Sequence, residues 1–233
     1  MSKSDIAVLI LAAGKGTRMK SKLHKVLHPL GGRPMLHHLM ATLEALAPTR
    51  KVIVVGSGKE QVEKSVGDQA EIVVQEPQLG TGHAVQVTSD QLRGFAGDVL
   101  VLYGDVPRLS GDTLKDLIAV RQGSGNPAVV VLGFEPEDTK AYGRLVVNES
   151  GVLEAIVEHK DATEAQKAIK LCNSGIMALD GNVMFDLLDQ LDDNNASKEF
   201  YLTDIVRIAR NRGLGCAVCI ADEAEVMGST SRR

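Results

Sequence analysis

The sequence predicts a three-layer α/β fold built on a mostly parallel sheet, and two observations carry that expectation. Five runs rich in β-branched residues and leucine, at 6–13, 51–56, 71–75, 98–103 and 127–134, are apolar nearly throughout. Strands of a parallel sheet read this way because helices cover both of its faces. Between the runs lie patterns of helical period. In 34–47, Leu36, Leu39, Met40, Leu43 and Leu46 recur at steps of three or four and form one apolar stripe. Pro34 suits the first turn of that helix. Weaker helical patterns follow at 59–66, 83–92 and 111–122. Strand–helix alternation of this kind means βαβ units with right-handed crossovers.

Beyond residue 133 the pattern loosens. Strands are expected at 142–147, 152–158 and 171–179, helices at 162–169, 182–191 and 203–212, and a last core strand at 214–221. No linker rich in Pro, Ser or Gly separates the halves. A single domain over 1–233 is expected, with a first part of about 1–134 and an inserted or appended part of about 135–233.

Composition narrows the function classes. The 233 residues are 44% hydrophobic and 24% charged, which is ordinary for a globular chain and excludes a disordered or collagen-like one. A net charge of −4 argues against sequence-independent nucleic-acid binding, which needs a basic face. The apolar run at 6–13 follows an aspartate and falls far short of the ~20 residues of a membrane span. Three cysteines, Cys172, Cys216 and Cys219, make no disulfide framework and fit a reducing cytoplasm. The Cys216–Cys219 spacing lies in an alternating strand that sends the two thiols to opposite faces, and zinc needs more ligands than this pair. A soluble, cytoplasmic protein with no membrane or nucleic-acid partner is expected.

The strongest local motif follows the first strand: Leu11, Ala12, Ala13, Gly14, Lys15, Gly16, Thr17, Arg18, Met19. Glycines let the backbone turn tightly and bring N–H groups to phosphates, while Lys and Arg supply charge. A dinucleotide fingerprint fits poorly. Met19 occupies its third glycine position, and apolar residues around Leu36 stand where a ribose-binding carboxylate belongs. That weakens an NAD-linked oxidoreductase. Nor is the segment a P-loop, since its lysine falls between the glycines. A plain strand-end turn with solvated charges is the remaining alternative. Arg18, Lys20, Lys22 and Lys25 concentrate cations at the edge where α/β sheets receive anionic ligands.

Two further segments converge on the same edge. Tyr103, Gly104 and Asp105 end the most apolar strand, and a carboxylate at such a tip either holds Mg²⁺ or caps the next turn. A cationic loop beside an acidic strand tip is what phosphoryl or nucleotidyl transfer needs. The segment 75–84 is a glycine-rich turn entering a helix. There Gln75 offers donor and acceptor to a base edge, and the Gly80 backbone admits a planar ring.

Taken together, LAAGKGTRM, KVL from Lys25, QEPQLGTGHA, LYGDVP, YGR, VEHKDAT, NSGI and YLTDIV resemble the uridylyltransferase domain of bacterial N-acetylglucosamine-1-phosphate uridylyltransferases. In that family it is the N-terminal half of a bifunctional enzyme that also acetylates glucosamine 1-phosphate. The resemblance implies a Rossmann-like nucleotidyltransferase fold. It implies the reaction of UTP with N-acetylglucosamine 1-phosphate to give UDP-N-acetylglucosamine and pyrophosphate, for peptidoglycan and lipopolysaccharide precursors. It also implies roles. Leu11, Ala12, Ala13 and Gly14 would lie against the nucleotide, with Gln75, Gly80 and Thr81 at uracil. Arg18 and Lys25 would neutralise phosphates, and Asp105 would hold Mg²⁺. Tyr103 and Gly104 would line the nucleotide–sugar junction, and Gly143, Glu158 and Asn173 would hold the sugar in the part after about 135.

Two departures stand out. Thr230 occupies the place of the family's metal-binding asparagine, a poorer ligand that leaves a non-catalytic sugar-nucleotide binder as the alternative. No hexapeptide repeat is present, so the acetyltransferase β-helix, and the trimer it builds, are expected to be absent from this chain.

Overall fold

In a computed structural model, the structure describes residues 5–14, 21–139 and 141–228. The chain runs through β1 (Ile6–Ala12), β2 (Pro29–Leu30), β3 (Arg33–Pro34), α1 (Met35–Leu43), β4 (Arg50–Val55), α2 (Lys59–Val66), β5 (Glu71–Val74), α3 (Thr81–Gln86), α4 (Ser89–Leu92), β6 (Asp98–Tyr103) and α5 (Gly111–Arg121). It continues with β7 (Val129–Phe134), β8 (Arg144–Val147), β9 (Leu153–Val157), α6 (Glu164–Lys167), β10 (Cys172–Asp180), α7 (Gly181–Leu188), α8 (Asp204–Asn211), β11 (Cys216–Ile220) and α9 (Glu223–Val226).

The main sheet has the order β11-β7-β10-β6-β1-β4-β5, with β8 and β9 pairing off β10. Its strands are parallel except β10, which runs against β6 and β7, and the β8–β9 hairpin. From β1 the chain goes to β4 and β5 on one side, then returns to β6 on the other. The reversal places a switch point at the C-terminal end of β1, and loops leaving neighbouring strands there diverge and open a crevice.

The period of two along β1 divides the core. Val8, Ile10 and Ala12 face the layer of α1 and α5, against Leu36, Leu39 and Leu114. Ala7, Leu9 and Leu11 face the layer of α3, α7 and α8, against Val85, Phe185 and Val206. Every residue of β1 is buried, as expected for a central parallel strand. Cys216 and Cys219 belong to opposite layers, and all three cysteines are free and buried.

The structure corrects several expected boundaries. The helix expected at 83–92 is two: α3 starts earlier, at Thr81, and ends at Gln86 before α4 begins at Ser89. Between them the buried Thr88 turns its hydroxyl onto the Val85 carbonyl at 2.7 Å, a local bond that competes with helix continuation. Pro34 lies outside the first helical turn. It pairs with Pro29 in the β2–β3 hairpin and precedes α1 in extended conformation. α9 was not legible from periodicity, because four residues are too few to show one.

The opposite edge of the sheet carries a buried ionic cluster. Asp98 begins β6 and Asp180 ends antiparallel β10, so the register brings both to one edge. Arg121, at the end of α5, lies 3.3 Å from Asp98 and 2.9 Å from Asp180. Its Nη1 also donates to Asn126 at 2.7 Å, and Gln122 donates to Asp98 at 2.6 Å.

Candidate functional site

A cavity of about 550 Å³ opens at the switch point. Leu11, Ala12, Ala13 and Gly14 run along it where β1 ends, and Tyr103 and Asp105 enter from the end of β6. The parallel register explains the meeting, since Leu11 is paired directly with Tyr103. Gln75, Gly80 and Thr81 form another wall, and Lys25 reaches in from the turn before β2. Gly104 plays a different part. Its N–H donates to the Leu11 carbonyl at 3.0 Å, and a Cβ there would stand 2.9 Å from Val26 Cγ1, so it locks β6 to β1 beneath the cavity. Arg18 and Thr230 fall outside the described residues.

Lys25 and Asp105 form an ion pair in the cavity mouth, with both side chains about one-fifth exposed. The described chain reaches Gly228 beside this pair, where a Cβ would lie 3.5 Å from Asp105 Oδ2. Glu225 of α9 ties that segment down by accepting from the Ser110 N–H at 3.0 Å and the Thr113 hydroxyl at 2.7 Å.

The glycine-rich turn is built by a distant segment. Gly80 has φ +115°, and a Cβ would meet the Phe200 carbonyl at 2.6 Å. Phe200 donates to the Leu79 carbonyl at 2.8 Å and accepts from the Gly82 N–H at 2.7 Å, while Leu202 donates to the Thr81 hydroxyl at 3.0 Å. Glu199 from this strap also lines the cavity, as do Val26, Gln78 and Ala84. Sequence reasoning missed all four. Gln78 sat within the glycine-rich motif and donates to the Ala13 carbonyl, joining the two loops; Glu199 had no local signal.

Gly143, Glu158 and Asn173 do come together. Asn173 donates its N–H to the Gly143 carbonyl at 2.9 Å, and a Cβ on Gly143 would stand 3.5 Å from both Glu158 carboxylate oxygens. Glu158 accepts from the Thr203 hydroxyl at 3.2 Å. Burial raises its pKa above the ordinary carboxylate value; Asp161 and Asp204 add to that and the Thr203 bond offsets part of it. Thr203 was quoted within a motif but given no role. Glu158 and Thr203 line a second cavity of about 450 Å³, and the Tyr103 phenol, on the wall of the first, is pushed up by burial and by the nearby charges of Glu158 and Asp105.

Gly175 sets the position of Tyr103. Its N–H donates to Asn173 Oδ1 at 2.8 Å, its φ is +86°, and a Cβ would meet the Tyr103 ring at 2.6 Å. Gly175→Ala is expected to destabilise the fold by about 2–4 kcal/mol, combining left-handed strain with overpacking. Urea unfolding measures that loss, and a change below about 0.5 kcal/mol would contradict the packing described, since surface-like substitutions stay in that range.

Metal chemistry would rest on few groups. Among the described residues no cluster of three or more His, Cys, Asp or Glu could hold a metal ion. A lone strand-tip carboxylate such as Asp105 fits Mg²⁺, which keeps waters and takes further oxygens from substrate phosphates.

A doubly wound α/β sheet, with a nucleotide-sized cavity and a lysine–carboxylate pair at its switch point, defines a nucleotide-binding protein of the transferase kind. Residues 8–174 match the model of the MobA-like NTP transferase domain, and the chain belongs to that family of nucleotidyltransferases. Among curated proteins it is 53% identical over 230 residues to the bifunctional protein GlmU of Novosphingobium aromaticivorans, covering 98% of this chain and 51% of that protein. It is 54% identical over 229 residues to the bifunctional protein GlmU of Sphingopyxis alaskensis, again covering 98% and 51%. The chain thus spans about half the length of these relatives. Among solved structures, the inositol-1-phosphate CTP transferase from T. maritima superposes with a TM-score of 0.72 at 16% identity, covering 96% of this chain and 88% of that one, a likeness of fold. No helix among the described residues is long and apolar enough to cross a membrane.

Proposed function

We propose that the chain transfers the uridylyl group of UTP to N-acetylglucosamine 1-phosphate, forming UDP-N-acetylglucosamine and releasing pyrophosphate. The observation that carries this reading is the place of Tyr103, which lines the cavity with Leu11, Gly14, Lys25, Gln75 and Asp105 and packs on Gly175, the hydrogen-bond partner of Asn173 in the Gly143–Glu158–Asn173 cluster. Similarity at 52–54% identity to bifunctional GlmU proteins supports it. The nucleotide would occupy the part of the fold from about 1–134 and the sugar the part from about 135–233, within one domain.

The attacking group is a sugar phosphate oxygen, already anionic, so no general base is needed. Its oxygen forms the new bond to the α-phosphorus as the bond to the β-phosphate oxygen breaks, and the electron pair leaves with pyrophosphate. The protein's task is alignment and charge neutralisation. Lys25 would leave Asp105 for the triphosphate, and Arg18 would add a second cation. Glu158 and Asn173 would pair with sugar hydroxyls and the N-acetyl amide, and buried groups of this kind reject analogues that leave them unpaired. Asp105, with Thr230 as a weaker second donor, would hold Mg²⁺, which supplies positive charge to the phosphates.

The product is an activated amino sugar suited to cytoplasmic synthesis of cell-envelope precursors. Acetyl transfer is not assigned to these 233 residues, nor is the trimer that an acetyltransferase half would build. The decisive assay is pyrophosphate release from UTP and N-acetylglucosamine 1-phosphate, with and without Mg²⁺, beside Thr230→Asn. Metal-dependent release is expected in the parent chain, faster in the variant because an amide carbonyl is the better ligand. Silence from both folded proteins would overturn the proposal.

A further inference from the structure

Thr203 stands at the N-cap of α8, where a threonine hydroxyl ordinarily accepts from the first turn of its own helix. Here it does not: the residue already has a helical φ of −60° and ψ of −24°, and its side chain accepts from no backbone N–H of that turn. The hydroxyl instead donates to Glu158 Oε1 at 3.2 Å, just beyond the end of β9. Thr203 is 7% exposed, so water competes little for that bond. The backbone before it is fixed, since the Leu202 N–H donates to the Thr81 hydroxyl and Phe200 is bonded to Leu79 and Gly82. Among the described residues no other group donates to the Glu158 carboxylate, and its Oε2 is unclaimed. Glu158 and Thr203 both line the second cavity.

Building on the reading of the Gly143–Glu158–Asn173 cluster as the sugar site, we propose that Thr203 is a positioning residue: its hydroxyl holds Oε1, fixes the Glu158 carboxylate in one orientation and leaves Oε2 to accept from a sugar hydroxyl. A glutamate side chain turns about several bonds, and ordering it in advance removes a cost that substrate binding would otherwise carry. The bond also favours the charged, acceptor-only form. Burial and the carboxylates of Asp161 and Asp204 oppose that form, and the Thr203 bond offsets part of their effect. Asp192 lines the same cavity, while burial keeps Tyr103 on β6 a neutral phenol. Of the cations on adjoining elements, Arg207 lies 3.8 Å from Asp204, and Arg144 of β8 donates to the carbonyls of Tyr142 and Lys167.

The test is steady-state pyrophosphate release by the full chain at pH 7.5 with Mg²⁺, varying each substrate in turn. Thr203→Val keeps the shape and removes the donor. It is expected to raise KM for N-acetylglucosamine 1-phosphate about tenfold, the scale of one hydrogen bond to a charged group. Its kcat and its KM for UTP are expected to stay within about threefold, because the lost interaction serves bound sugar and transition state alike. Thr203→Ser, which restores the hydroxyl, is expected to bring the sugar KM back to within about threefold of the parent. A second measurement needs no turnover: ¹³C-carboxylate spectra of the ligand-free chain should show Glu158 titrating at higher pH in Thr203→Val than in the parent, because a donor to its charged form is gone. Titration at the same or lower pH would show that the hydroxyl does not donate, and would overturn the inference. Thr203→Ala carries the same expectations if Thr203→Val does not fold. An active parent whose Thr203→Val keeps the parent sugar KM, or loses UTP equally, sinks the inference alone. A folded parent that is silent sinks the uridylyl-transfer reading beneath it, and the sugar role with it.

Discussion

Asp105→Asn is expected to lower kcat/KM for pyrophosphate release by roughly a hundredfold to a thousandfold, the scale of losing one fixed charge from an electrostatically organised site. Asn has nearly the same shape, so the β6 tip and its Gly104 lock on β1 should persist, with folding stability within about 1 kcal/mol of the parent because a partly exposed ion pair contributes little. What disappears is the negative charge that pairs with Lys25 and that would hold Mg²⁺. Raising the Mg²⁺ concentration should recover part of the lost rate, since a weakened site fills by mass action. A variant turning over within about threefold of the parent would remove Asp105 from the machinery and with it the assignment of the strand tip, because a charge in this role carries far more.

Arg121→Leu is expected to cost about 3–5 kcal/mol of folding free energy, the largest stability effect anticipated here, because it strands the buried Asp98 and the half-buried Asp180 without their cation. Asp98 and Asp180 sit with Arg121 at the edge of the sheet away from the cavity, and Arg121 is only 5% exposed. In thermal unfolding this corresponds to a fall of about 10 °C for a chain of this length. Adding Asp98→Asn to the variant should recover part of the loss by removing one stranded charge. Pyrophosphate release at 20 °C, where the variant is still folded, should change little. An unfolding midpoint close to the parent's would show that the cluster is solvated.

How much of this was legible beforehand depended on the length scale of each signal. β6, expected at 98–103, and α2, expected at 59–66, emerged with those bounds because each is a regular period between clear breaks. Where a side chain overrides the period, prediction failed. Thr88 divides 83–92 by bonding to Val85, and Pro34 is drawn into a hairpin by Pro29. The loop at Leu11–Gly14, the tip at Asp105 and the turn at Gly80 were readable because glycines and charges at strand ends have few other uses. Glu199, Thr203 and Gly175 were not, since each acquires its place from a partner far along the chain.

The sequence by itself determined the α/β class, the edge of the sheet where the cavity opens, and the short motifs that line it, because these follow from local period and local chemistry. Only the tertiary structure decided the rest. It put β10 antiparallel between β6 and β7, so that residues from the second half complete the main sheet. It brought Gly143, Glu158 and Asn173 together, and it set the Gln78 amide on the Ala13 carbonyl. The physical reason is common to all three. Strand register and amide orientation are fixed by contacts between residues distant in the chain or on different elements, and such contacts leave no periodic trace in the sequence.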